Sequence, residues 1–153
     1  MPPAPPITYR RWSGPIAGAV PLLQALSARV FEEYSPAYLP DRIGAAADPL
    51  LWLAERDGNA LGFKLGYRRG PKLLLSWLGG VAPEARRMGV ASALMVRQHQ
   101  SAREAGYRFV ETRTRAPNNA MLILNLRHGF HIVGAEIDPR GFLKVIQRKE
   151  LTV

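Results

Sequence analysis

The stretch Arg86-Arg87-Met88-Gly89-Val90-Ala91-Ser92 holds the residues with the plainest chemical use in this chain. It stands directly before an apolar pattern of helical period. The first turn of that helix has free N–H groups and a partial positive charge. Such an end binds phosphate oxygens, and guanidinium groups add charge-assisted hydrogen bonds. Gly89 has no side chain, so a ligand can approach its backbone. Ala91, two residues on, keeps bulk away from the same place. No Gly-Lys-Ser/Thr follows, so the stretch is not a P-loop. Only Gly89 fits the dinucleotide fingerprint, so it is not that either. A pair of arginines before a helix also reads as a solvated surface.

The elements around it must aim it. Leu73 to Leu78 is almost wholly apolar and suits a strand covered on both faces. Gly79 and Gly80 stand where that strand should finish, and mark a bend, a bulge or a close approach by another backbone. Val81-Ala82-Pro83 closes the strand, because proline cannot continue a ladder. In the helix beyond, Val90, Ala91, Leu94, Met95, Ala102 and Ala105 fall mostly on one side, with Gln98 interrupting the stripe. Gly106 stops the helix. Tyr107 to Thr114 then reads as a strand. Strand, crossover helix and strand make a right-handed unit with parallel strands.

Ile7 to Trp12 is a short strand candidate. Ala17 to Tyr34 repeats apolar residues at helical spacing, with Pro21 in its first turn. Ala37 to Asp48 is a second, short helix with loops. Leu50 to Arg56 and Ala60 to Arg69 form a hairpin about Asp57-Gly58-Asn59, where Asp-Gly supplies positive φ. Asn118 is placed to cap a helix that Gly129 ends. Phe130 to Asp138 and Phe142 to Lys149 form a last hairpin. The fold class is therefore α/β (α+β). A mixed, mostly antiparallel sheet of about six or seven strands carries parallel fourth and fifth strands, flanked by about four helices.

The chain has 153 residues and reads as one domain over 1–153, with a flexible proline-rich start at 1–6. It has no cysteine, which excludes disulfides, a thiol nucleophile and thiolate metal sites. That fits a reducing cytoplasm, the expected location. No apolar stretch is long enough to span a bilayer, and no signal peptide is legible. The net charge of +9 suits a polyanionic ligand, nucleic acid, an acidic protein, or simply a basic surface kept soluble by charge.

The run from Val81 to Leu94 resembles the acetyl-CoA-binding motif of the GNAT N-acetyltransferase superfamily: a strand ending Val-x-Pro, then Arg/Gln-x-x-Gly-x-Gly/Ala, then a helix. Asn118 to Phe130 resembles the family's second segment, with Asn118, Gly129 and Phe130 matching. Asn125 stands where many members carry tyrosine. The two motifs cover roughly a third of the chain.

The resemblance implies acetyl transfer from acetyl-CoA to an amine, with no metal. It implies that strands four and five splay at Gly79-Gly80 and that Leu78, Gly79, Gly80 and Val81 pair with the pantetheine arm. The diphosphate then meets the N–H groups from Arg87 to Ser92, with Arg86 beside them. A backbone N–H of the fourth strand serves the oxyanion. Asn118 contacts the cosubstrate or holds the strand end, besides capping its helix. An amine near pKa ~10.4 needs a base. Glu111 is the first candidate, with Glu32, Glu33, Glu55 and Glu84 able to act through water; each also reads as an exposed or salt-bridged carboxylate. Asn125 cannot donate a proton at accessible pH, but its amide can hold the sulfur. His99, His128 and His131 read as surface or helix-end residues. Tyr34, Tyr38, Trp52 and Trp77 are candidates for the acceptor's approach, or core. A CoA-binding domain without transfer is a second reading, and a basic nucleic-acid-binding module a weaker third. The protein is expected to be a monomer or homodimer.

Overall fold

The computed structural model describes residues 2–31 and 38–152. Seven strands form one sheet in the order β1-β2-β3-β4-β5-β7-β6. The elements run β1 (Thr8–Arg11), α1 (Val20–Val30), α2 (Leu39–Ala45), β2 (Leu50–Arg56), β3 (Asn59–Gly70), β4 (Leu73–Val81), α3 (Val90–Glu104), β5 (Phe109–Arg115), α4 (Asn119–Arg127), β6 (His131–Ile137) and β7 (Leu143–Glu150). A 3-10 turn at Ile16–Ala19 leads into α1, and Pro21 sits in the first turn of α1. All neighbouring strands are antiparallel except β4 and β5.

Alternation along the strands sends side chains to two helical layers. On one face Leu23 and Leu26 of α1 and Leu39 and Ile43 of α2 pack on Leu51, Leu53, Phe63 and Leu65. On the other, Met95 and Ala102 of α3 meet Leu74, Val110 and Phe130, with Leu124 of α4 beside them. The near-continuous apolar run of β4 follows from burial on both faces.

The ladder between β4 and β5 is short. It joins Leu73, Leu74 and Leu75 to Phe109, Val110 and Glu111, and nothing beyond. From Ser76 onward β4 is held by β3 alone. The distortion falls at Trp77, not at the glycines: Leu65 faces Leu78 while Gly66 faces Ser76, so Trp77 is the extra residue of a β-bulge. Gly79 and Gly80 stay in register with Lys64 and Phe63. Their smallness serves close approach. A Cβ on Gly80 would lie 2.2 Å from Val30 Cγ1, so the end of α1 seats directly on this glycine.

Candidate active site

Where β4 leaves β5, α3 begins. Its N-cap is Gly89, at φ 78°, with no side chain returning to the first turn. Arg87 also has positive φ. A Cβ built on Gly89 would meet nothing within 4 Å. No side chain caps the first turn and the space beside Gly89 is open, an arrangement that suits an anion at the amides of Val90, Ala91 and Ser92. Ser92 Oγ lies 2.9 Å from His128 Nε2, which ties the start of α3 to the end of α4.

Arg86 and Arg87, adjacent in sequence, are used differently. Arg86 Nε donates to the Val81 carbonyl at 3.2 Å and its Nη2 to the Val30 carbonyl at 3.4 Å. It therefore pins the end of β4 to the end of α1. Arg87 and Met88 stand exposed beside Gly89. Leu78, Gly79, Gly80 and Val81 are half-buried, with their β5-facing side unpaired in the sheet.

Asn118 caps α4: its Oδ1 accepts the Met121 N–H at 3.3 Å. Asn125 is 2 % exposed, and its Nδ2 donates to Gln147 Oε1 at 2.9 Å. Gln147 in turn donates to the Leu122 carbonyl. The Asn125 amide, expected from the sequence to hold the sulfur, is thus engaged inside the fold.

Glu111 occupies the last paired position of β5 before the divergence. Arg148 Nη2 approaches its Oε2 at 2.6 Å and Arg113 Nη1 its Oε1 at 3.2 Å. Its side chain shares the face of Leu75, the face of α1 and α2, by the parallel register. Trp77 packs on that same face with the α1–α2 core. Tyr67 and Tyr38 stand edge-on to its ring, and the Arg42 guanidinium lies 4.5 Å from the ring centroid. Trp52 belongs elsewhere, since its Nε1 donates to Ser101 Oγ on α3. Glu55 pairs with Arg10 and Glu84 with Arg29. Glu32, Glu33 and Tyr34 lie outside the described residues.

His99 corrects the sequence expectation of a surface residue. It is 1 % exposed on the inner face of α3, with its ring centroid 5.5 Å from that of Phe130. Lys149 Nζ lies 3.2 Å from its Nδ1. An ammonium only donates, so Nδ1 accepts and the ring proton sits on Nε2. That buried Nε2 has no partner among the described residues. Burial first, then the charges of Lys149 and Lys64, push the imidazole down to about 2. His128 is lowered by the same causes in the same order. Lys64 of β3, half-buried, is lowered to about 8 by burial. Lys64 and His99 were missed because their burial is set by the packing of α3 on the sheet, not by their neighbours in the chain; His128 stands at the end of α4, as expected. The alternation Gly62-Phe63-Lys64-Leu65-Gly66 was the signal available: two glycines flanking a lysine on one strand face mark a helix lying close above it.

Among the described residues no group of His, Asp or Glu is arranged to hold a metal ion. No helix there is long and apolar enough to cross a membrane.

Residues 20–130 match the Acetyltransferase (GNAT) family. No curated protein sequence matches the chain. Among solved structures, the ribosomal-protein-S18-alanine N-acetyltransferase of Escherichia coli superposes with a TM-score of 0.81 at 16% identity, over 96% of this chain and 95% of that one. Ard1 of Thermoplasma volcanium gives 0.79 at 20%, over 96% and 99%. The yncA protein of Salmonella typhimurium, whose structure carries its cofactor acetyl-CoA, gives 0.74 at 14%, over 97% and 95%. At these identities the neighbours establish the fold. The family match spans most of the chain, from α1 through the open α3 start to the end of α4. The chain belongs to the GNAT family of acetyltransferases.

Proposed function

We propose that this protein transfers an acetyl group from acetyl-CoA to a primary amine of a small molecule, peptide or protein. The observation that carries this is the release of β4 from β5 after three residue pairs, with the uncapped start of α3 beyond it. The first offers unpaired backbone to a carrier with two amides, in the manner of an added strand. The second offers amides and positive potential to its diphosphate.

In this reading the N–H groups of Arg87 to Ser92 hold the phosphates and Gly89 leaves them room. The backbone of Leu78 to Val81 aligns the arm, and one of its N–H groups steadies the oxyanion of the tetrahedral intermediate. Asn118 fixes the end of the slot. Glu111, oriented by Arg113 and Arg148, takes the proton of the attacking amine, directly or through water. Asn125, held by Gln147, shapes the wall near the sulfur. The acceptor arrives on the α1–α2 face, past Trp77 and Tyr38.

Calorimetry with acetyl-CoA, followed by thiol release with a panel of amines, tests this reading. Binding with amine-dependent thiol release supports it. Binding without release for any amine points to a domain that holds CoA without transfer. Absence of binding removes both.

A further inference from the structure

The leaving thiolate has no evident proton donor among the residues that the family motifs mark. Asn125 is an amide turned to Gln147, with 2.9 Å between them. Across β4 lies another group. Lys64 faces Gly79 in the β3–β4 register. A Cβ on Gly79 would be 3.6 Å from Lys64 Cγ, so the lysine stem runs over the glycine. A lysine stem is longer than the ~4.8 Å between neighbouring strands. The stem thus has the length to bring its ammonium across β4 to the free edge, the edge that β5 has left.

The surroundings of Lys64 are cationic and polar. On β3 it stands between Gly62 and Gly66, under α3. His99 comes from α3, His128 from the end of α4 and Lys149 from β7, and Lys64 acts on the charge of both histidines. Trp52 of β2 and Gly79 of β4 are its strand neighbours. No carboxylate pairs with Lys64 among the described residues. Gln98, 0 % exposed beside Gly66, has neither amide atom satisfied there, and His99 Nε2 is likewise unpartnered. Buried unmatched polar groups on one wall fit a space that receives polar or anionic atoms.

Resting on the acetyl-transfer reading, we propose that Lys64 is a catalytic residue whose ammonium stabilises and protonates the leaving CoA thiolate. As the tetrahedral intermediate collapses, the C–S bond breaks, the amide C–N bond remains, and sulfur takes a proton from Lys64 Nζ. Lys64 regains a proton from water, where the proton lost by the amine has gone. Lysine lowered to about 8 and a thiol near pKa ~8.5 exchange a proton with little free-energy change.

The chain has no cysteine, so the thiol of bound CoA is the single thiol in the complex. Its thiolate absorbance in the ultraviolet can be titrated directly, without turnover. In Lys64→Met the bound thiol should titrate about one pH unit higher than in wild type, a roughly tenfold smaller thiolate fraction. CoA affinity and melting temperature should hold. Thiol release with acetyl-CoA and the best amine of the panel should fall about 100-fold. Wild-type kcat should decline above pH ~8 as the ammonium is lost. Lys64→Arg, the second variant, keeps the charge, so the thiol titration should stay near wild type while the basic limb of kcat disappears. An unchanged thiol titration in Lys64→Met, or a basic limb that persists in Lys64→Arg, overturns the assignment while leaving acetyl transfer standing. A wild-type protein that does not bind CoA overturns both.

Discussion

Two helices of this protein start in opposite ways. α4 begins at Asn118, whose Oδ1 satisfies the Met121 N–H within the chain. α3 begins at Gly89, in a left-handed conformation with no side chain turned back. Both starts face the same deficit of unbonded N–H groups. α4 resolves it locally. α3 leaves it open, directly beyond a strand stretch that has itself lost one neighbour. A closed start contributes stability; an open one, paired with an unpaired strand edge, leaves its hydrogen-bonding groups available, and in the proposed reading acetyl-CoA takes them.

The sharpest way to break this contrast is to fill the open start. Gly89→Leu should reduce CoA affinity by about 100-fold, the loss of one or two charge-assisted hydrogen bonds worth ~3 kcal/mol together. Calorimetry reads the affinity, and an unchanged circular dichroism spectrum separates this from unfolding. Undiminished affinity would displace the phosphates from this place.

The seat of α1 on β4 comes next. Gly80→Ala should destabilise the fold by about 2 kcal/mol, because the new methyl meets Val30 Cγ1. Thermal melting reads the loss, and adding Val30→Ala should recover part of it. A double variant no better than the single one would mean that Val30 is not the obstacle.

The buried polar wall of α3 makes stability depend on pH. His99 is held neutral, with its folded value near 2. Below the unfolded value of ~6.5 the unfolded chain binds a proton that the folded one refuses. Stability from this group is therefore present above pH ~6.5 and is lost as pH falls. Between pH 6.5 and 5 the loss amounts to about 2 kcal/mol. Urea melts of wild type and His99→Leu across that range should converge toward acid; parallel curves would show that His99 takes up its proton in the fold.

The closed start gives the smallest effect. Asn118→Ala should cost about 1 kcal/mol of stability through the lost cap. If Asn118 also touches the cosubstrate, CoA affinity falls with it. Stability lost alone confines the residue to capping.

Much of the architecture was legible because local rules agreed along the chain. Leu50–Arg56 follows from its apolar run before Asp57-Gly58, and both turn residues do take positive φ. Pro21 marks the first turn of α1 and Asn118 the cap of α4. The open α3 start was legible for the same reason, since Gly89 before an apolar helical stripe is a local signal. The bulge was not. Gly79-Gly80 attracted attention as weak strand formers, yet Trp77 is the extra residue, because register is decided by which side chains β3 and the two helical layers must bury. His99 was missed for a related reason. A histidine among Arg97, Gln98 and Gln100 looks solvent-facing until the sheet beneath α3 is in place.

By itself the sequence determined the order of strands and helices, the glycine that opens α3, and the two segments that identify the family. These rest on neighbours in the chain, whose spacing acts at short range. Tertiary packing alone decided where β4 parts from β5, that Arg86 braces α1 while Arg87 stays exposed, that Asn125 turns to Gln147, and that Lys64, His99, His128 and Lys149 gather between α3, α4 and the sheet. Those outcomes bring together residues far apart in the chain, and they follow from competition for buried volume and hydrogen-bond partners that exists only once the layers have closed.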